Sequence, residues 1–172
     1  MEKTQILSTK KLAILGLLVA MNIILSRFLS IQAWNIKIGF TFITIVVAAV
    51  LYGPVESAVV GGVGDFLGAI LFPSGAYFPG FTLTAILTGV VYGCFFRKKM
   101  TLPRIFGAVA IVQFVLGMLL NSLWISILYG SPYMALLPVR ATQAVLLFIV
   151  QSIVIVALRE ALFKRVKVFA KE

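Results

Sequence analysis

The chain contains no histidine, a single cysteine and only five acidic residues among 172. Without histidine it lacks the commonest general base near neutral pH and the commonest imidazole metal ligand. One thiol, Cys94, can neither close a disulfide within the chain nor make a metal site alone. No Ser/His pair, no paired intramembrane carboxylates and no HExxH motif are present. The run Gly61-Gly62-Val63-Gly64-Asp65 has neither the lysine nor the strand-to-helix setting of a phosphate-binding loop. The expectation is therefore no catalytic residues, no metal, no cofactor held by this chain and no direct use of ATP: not an enzyme. Charge is scarce as well. Charged residues are 12% and hydrophobic residues 62%, against about 25% and roughly 45–50% in a soluble domain.

Long apolar runs take the place of charge. A bilayer span needs about 20 mostly apolar residues, so the length allows about six helices and no extramembrane domain. The runs place spans at approximately 11–29, 38–52, 54–72, 80–97, 104–129 and 137–162, with residues 1–172 forming one integral membrane domain. Gly53-Pro54 breaks the second run from the third, and Pro54 suits the first turn of a helix. Pro73 to Gly80 separates the third from the fourth, and Tyr129-Gly130-Ser131-Pro132 opens the last loop. The alternating pattern of a membrane barrel is missing, so the fold class is an all-α bundle of six transmembrane helices. The first run lacks a small-residue cleavage site and is expected to be a retained span.

The net charge of +10 could suggest nucleic acid, but the cations flank apolar spans, and the positive-inside rule explains them better. All 15 except Arg27, Lys37 and Arg140 fall in the N-terminal tail, the fourth loop or the C-terminal tail. Both termini are therefore expected in the cytoplasm, with the three remaining cations near the outer face.

Those three either snorkel to headgroups or face a cavity. Arg140 favours the cavity, because Gln143 and Gln151 continue a polar ridge below it, and intramembrane polar side chains avoid lipid. Gln113, Gly117, Asn121 and Trp124 form a second stripe on the fifth span. It suits either helix–helix hydrogen bonding or a flat heteroaromatic ligand. Aromatic residues crowd the outer loops, among them Trp34, Phe40, Tyr77, Phe78, Tyr129 and Tyr133. Each is compatible with an interfacial belt, yet together with three cations they resemble a pocket for an anionic, aromatic ligand. Asp65, set among Ala58, Gly61, Gly62, Gly68 and Ala69, suits a close-packed structural centre better than ligand contact. Ala13, Gly16 and Ala20 make a small-residue stripe on the first helix, for internal packing or for a partner protein.

The segment from Lys37 to Gly93 resembles the substrate-binding S components of energy-coupling factor vitamin transporters, most closely the folate-specific branch. Its most specific pieces are Gly39-Phe40-Thr41-Phe42, Leu51-Tyr52-Gly53-Pro54, Gly64-Asp65-Phe66-Leu67-Gly68 and Tyr77-Phe78-Pro79-Gly80-Phe81-Thr82. The resemblance implies a prokaryotic cell-membrane protein that captures a vitamin with high affinity from outside. It also implies a transmembrane coupling subunit and two cytoplasmic ATPases as partners, which use the ATP. Gly16 and Ala20 match the family's docking motif, with glycine in place of the usual first alanine. The implied cargo is folate or a reduced folate. Its two tail carboxylates suit Arg27, Lys37 or Arg140 through charge-assisted bonds. Its pterin suits Asn121 and Gln143, with stacking on Trp124, Trp34 or Phe78. Riboflavin, another vitamin, or an autonomous secondary transporter are the alternatives.

Overall fold

The computed structural model describes residues 9–169 except 34, 35 and 74, and side chains except those of 31–38 and 161–169. Helices form α1 Thr9–Arg27, α2 Phe42–Leu51, α3 Pro54–Leu71, α4 Pro79–Phe96, α5 Leu102–Tyr129 and α6 Tyr133–Phe169. Ile31–Ala33 (β1) and Ile36–Ile38 (β2) make a short antiparallel ribbon between α1 and α2. The architecture is thus helical apart from that ribbon. Helices close every backbone hydrogen bond within one segment, which apolar chains in lipid require. Five of them (α1, α3, α4, α5 and residues 133–160 of α6) are long and apolar enough to cross a membrane. The apolar α2 has only ten residues, a rise of about 15 Å.

Two turns at one end of the bundle, the base, fix how the helices meet. Gly53 has φ 108° and ψ −163°, a conformation that costs any residue with a Cβ. It lets the chain reverse between α2 and Pro54, the first residue of α3. α4 then packs on α3 with almost no side chain between them. A Cβ at Gly89 would strike the backbone of Ser57 and Ala58, and one at Gly93 would strike Pro54. The Ser57 hydroxyl donates across this seam to the Gly89 carbonyl at 2.7 Å and back to the Gly53 carbonyl at 2.8 Å. Close helix approach through small residues, held by such polar contacts, is how helices associate where lipid removes the hydrophobic drive.

The base is closed by a dense apolar cluster. Tyr92 and Phe96 of α4 stack at 5.4 Å, and Ile105, Ala108, Val109 and Ile155 pack round them without exposure. At the same end Lys11 Nζ meets Glu56 Oε1 at 2.6 Å, the one ion pair among the described residues. The ammonium also lies 5.4 Å from the Tyr52 ring centroid, tying the start of α1 to the turn between α2 and α3. Above the base the helices diverge.

Candidate functional site

The diverging helices enclose a cavity of about 900 Å³, bounded by all six helices and by loop residues Gly39 and Gly75–Phe78. That size falls in the usual range for small-molecule sites. Its mouth lies at the loop end, among Arg27, Gly39, Tyr77, Tyr129 and Ser131. Its floor lies against Thr88, Gln113 and Gln151.

The wall formed by α5 and α6 is polar in an apolar chain. Arg140 is only 8% exposed although it carries a full charge. Its Nη1 donates to Gln143 Oε1 at 3.3 Å, and its buried Nε has no acceptor among the described residues. No carboxylate of a described residue lies within ion-pair distance of it. Burying a cation this way is costly unless something negative arrives. On α5 the carbonyl oxygen of Asn121 is likewise buried without a donor among the described residues. An unfilled donor and an unfilled acceptor therefore lie on one wall. At the floor Gln151 Oε1 accepts from the buried Tyr92 hydroxyl at 2.9 Å, which closes the cavity onto the apolar base.

The opposite wall comes from α1, α3 and α4. Asn22 donates to Thr44 Oγ1 at 2.8 Å and to the Thr41 carbonyl at 3.3 Å. Gly64 leaves room for Asn22, and Gly68 leaves room for the Arg27 guanidinium. Asp65 lines the cavity and accepts from Thr82 Oγ1 at 2.9 Å, while the Tyr77 hydroxyl lies 3.3 Å from the same oxygen. This acid therefore braces the loop before α4 and also faces the site.

The candidates read from the sequence divide as follows. Arg27, Phe78, Asn121, Arg140 and Gln143 come together round the cavity. Trp124 stands behind the lining: its indole nitrogen donates to Thr84 Oγ1 at 3.0 Å, and its ring lies 5.7 Å from that of Phe78. Phe40 is exposed and tilts onto Phe42 at 6.2 Å. The Tyr133 hydroxyl reaches the Leu119 carbonyl at 3.4 Å, away from the cavity. Trp34 lies outside the described residues, and for Lys37 only the backbone, within β2, is described. Ala13, Gly16 and Ala20 share an exposed stripe of α1, with nothing within 4 Å of a Cβ built on Gly16.

Asn22, Ser26, Thr41 and Thr84 line the cavity too and were not among the candidates. For two of them a signal existed. Asn22 and Ser26 are one helical turn apart in an otherwise apolar span, the spacing that puts both on one face.

Comparison with known proteins agrees with this architecture. The Folate transporter FolT of Clostridium novyi (strain NT) is 38% identical over 142 residues, 82% of this chain and 83% of that protein. The Folate transporter FolT of Leuconostoc mesenteroides subsp. mesenteroides is 29% identical over 152 residues, 84% of this chain and 82% of that protein. A crystal structure of FolT bound with folic acid matches with a TM-score of 0.85 at 36% identity, over 90% of this chain and 95% of that one. The family model for the ECF transporter substrate-specific component matches residues 10–159, and the chain accordingly belongs to the substrate-specific components of ECF transporters.

Proposed function

We propose that the protein captures folate or a reduced folate from outside the cell and passes it inward with a transmembrane coupling subunit and two ATPases. The observation that carries this reading is Arg140, a buried cation with an open Nε on the wall of a cavity of about 900 Å³. An anionic ligand with a flat polar ring supplies what that wall lacks. Carboxylates of the tail pair with Arg140 and Arg27, with Lys37 as a third cation near the mouth. The pterin offers donors to Asn121 and Gln143 and rests against Phe78, which Trp124 holds in place from behind. The similarity to FolT proteins supports the choice of folate over other vitamins.

In this reading the chain is a multi-pass protein of a prokaryotic cell membrane, with α2 counted as the sixth span and both termini in the cytoplasm. The cation distribution supports that orientation. Titrating the purified protein with folate, with riboflavin and thiamine as competitors, tests the cargo. Saturable folate binding resistant to both competitors is expected; displacement of folate by riboflavin would reassign it.

The exposed stripe Ala13, Gly16, Ala20 is the proposed seat of the coupling subunit, since small residues let helices approach closely. Filling it with Gly16→Leu is expected to abolish co-purification with the coupling subunit while leaving folate affinity unchanged. Retained assembly would move the docking face elsewhere.

A further inference from the structure

Ten consecutive residues of α5, Ile111–Leu120, wind as a π-helix. Such i→i+5 winding is rare, and where it occurs it is mostly a single turn. Here it covers the inner part of the stretch of α5 that borders the cavity, up to the residue before Asn121. Along α5 the cavity is lined by Gln113, Gly117, Asn121 and Ile125, in steps of four, with Val112 beside them. In a regular α-helix a four-residue step overshoots one turn by about 40°, so three steps would carry the last side chain about 120° round the axis. A wider turn makes the same step fall short. Wide turns followed by an α-helical one therefore cancel the drift and keep all four positions on the wall.

We infer that the π-wound segment is a positioning device. Its wide turns aim Asn121, with its unpartnered carbonyl oxygen, into the cavity, and turn Trp124 aside into the wall against Thr84. Regular winding would favour the stripe Gln113, Gly117, Leu120, Trp124 instead. Gly117 belongs to the device. A Cβ there would stand 3.3 Å from the Val112 carbonyl oxygen, five residues back, and 3.4 Å from Gln113 Oε1. The inference rests on the folate reading only for the identity of the ligand; the winding stands apart from it.

A cysteine scan separates the two. The exposed native thiol Cys94 is first removed as Cys94→Ser, and single cysteines are then placed at 117, 120, 121, 124 and 125. Without ligand, a water-soluble thiol reagent is expected to label 117, 121 and 125 quickly and 120 and 124 slowly. Fast labelling of 120 and 124 with slow labelling of 121 and 125 overturns the inference. Folate is expected to protect 117 and 121. The four-residue labelling pattern without any protection supports the winding and counts against folate as the ligand. Deleting Val115, exposed on the far side, turns the outer half of α5 by about 100° against the inner half. This deletion is expected to weaken folate binding by about tenfold or more, the scale of one lost polar contact. Parental affinity in the deletion variant overturns the inference. A deletion variant that does not fold leaves the decision to the labelling pattern.

Discussion

Arg140→Ala is expected to weaken folate binding by about 2 kcal/mol or more, roughly a thirtyfold rise in Kd. Hydrogen bonds to charged groups in a dry site are stronger than neutral ones, and Arg140 has little else to do. Its guanidinium reaches Gln143 at 3.3 Å and leaves Nε without an acceptor. The same geometry predicts the opposite sign for stability. The ligand-free protein carries a buried cation with no carboxylate of a described residue beside it, and that costs free energy. Arg140→Met keeps most of the apolar stem and removes the charge, so the unliganded variant is expected to unfold at the same temperature as the parent or higher. Titration calorimetry and thermal unfolding of the ligand-free protein check the pair of signs. Lower stability together with unchanged affinity would make Arg140 a structural residue. Unchanged affinity in both Arg27→Ala and Arg140→Ala would remove the carboxylate pairing altogether.

The second large effect lies at the base, below the cavity floor. Gly93→Val is expected to cost about 3 kcal/mol or more, at the upper end of overpacking substitutions. The new side chain would overlap Pro54 at the first residue of α3, and neither backbone can step aside. Pro54 has a fixed φ and follows Gly53, whose own φ of 108° admits no substitute without strain. One turn further along, the Ser57 hydroxyl ties α3 to the Gly89 carbonyl. Gly107→Ala is the matched control: its Cβ would meet Phe95 at 3.4 Å, an ordinary contact. Thermal unfolding in detergent and the yield of monodisperse protein are expected to separate the two variants. Equal behaviour would mean that the seam between α3 and α4 can open.

Much of the helical layout was legible because lipid imposes it. Apolar runs of spanning length must close their backbone bonds internally, and Gly53-Pro54 announced its turn. The ridge of Arg140, Gln143 and Gln151 was legible for the same reason, since each would be costly in hydrocarbon. Periodicity failed where the helix stopped being regular. Gln113, Gly117, Asn121 and Trp124 make a good α-helical stripe, but Ile125 rather than Trp124 lines the cavity, just beyond the π-wound segment. No glycine or proline pattern marks such winding in advance. Asp65 was legible only in part. A lone acid among glycines reads as a packing centre, and its bond to Thr82 agrees. That Asp65 also lines the cavity depends on how α4 folds back on α3, which is tertiary information. Tyr133 and Phe40 were judged by residue type near a mouth, and type carries no direction.

For a chain that crosses the bilayer and takes up cargo as proposed, the brevity of α2 bears on how fast cargo enters rather than how tightly it is held. Ten residues rise about 15 Å, about half of a hydrocarbon core of roughly 30 Å. The ribbon and residues 39–41 precede α2 in the chain, and there Asn22 and Thr44 donate to the Thr41 carbonyl. Irregular backbone at such depth is tolerated where it borders water or protein. Under the proposed function, an incoming anion is expected to shed its hydration shell in stages along the polar groups of Asn22, Thr41 and Thr44 instead of at one sharp boundary. In that reading, the short second helix is expected to act on the association rate, and the arginines on the walls on the dwell time.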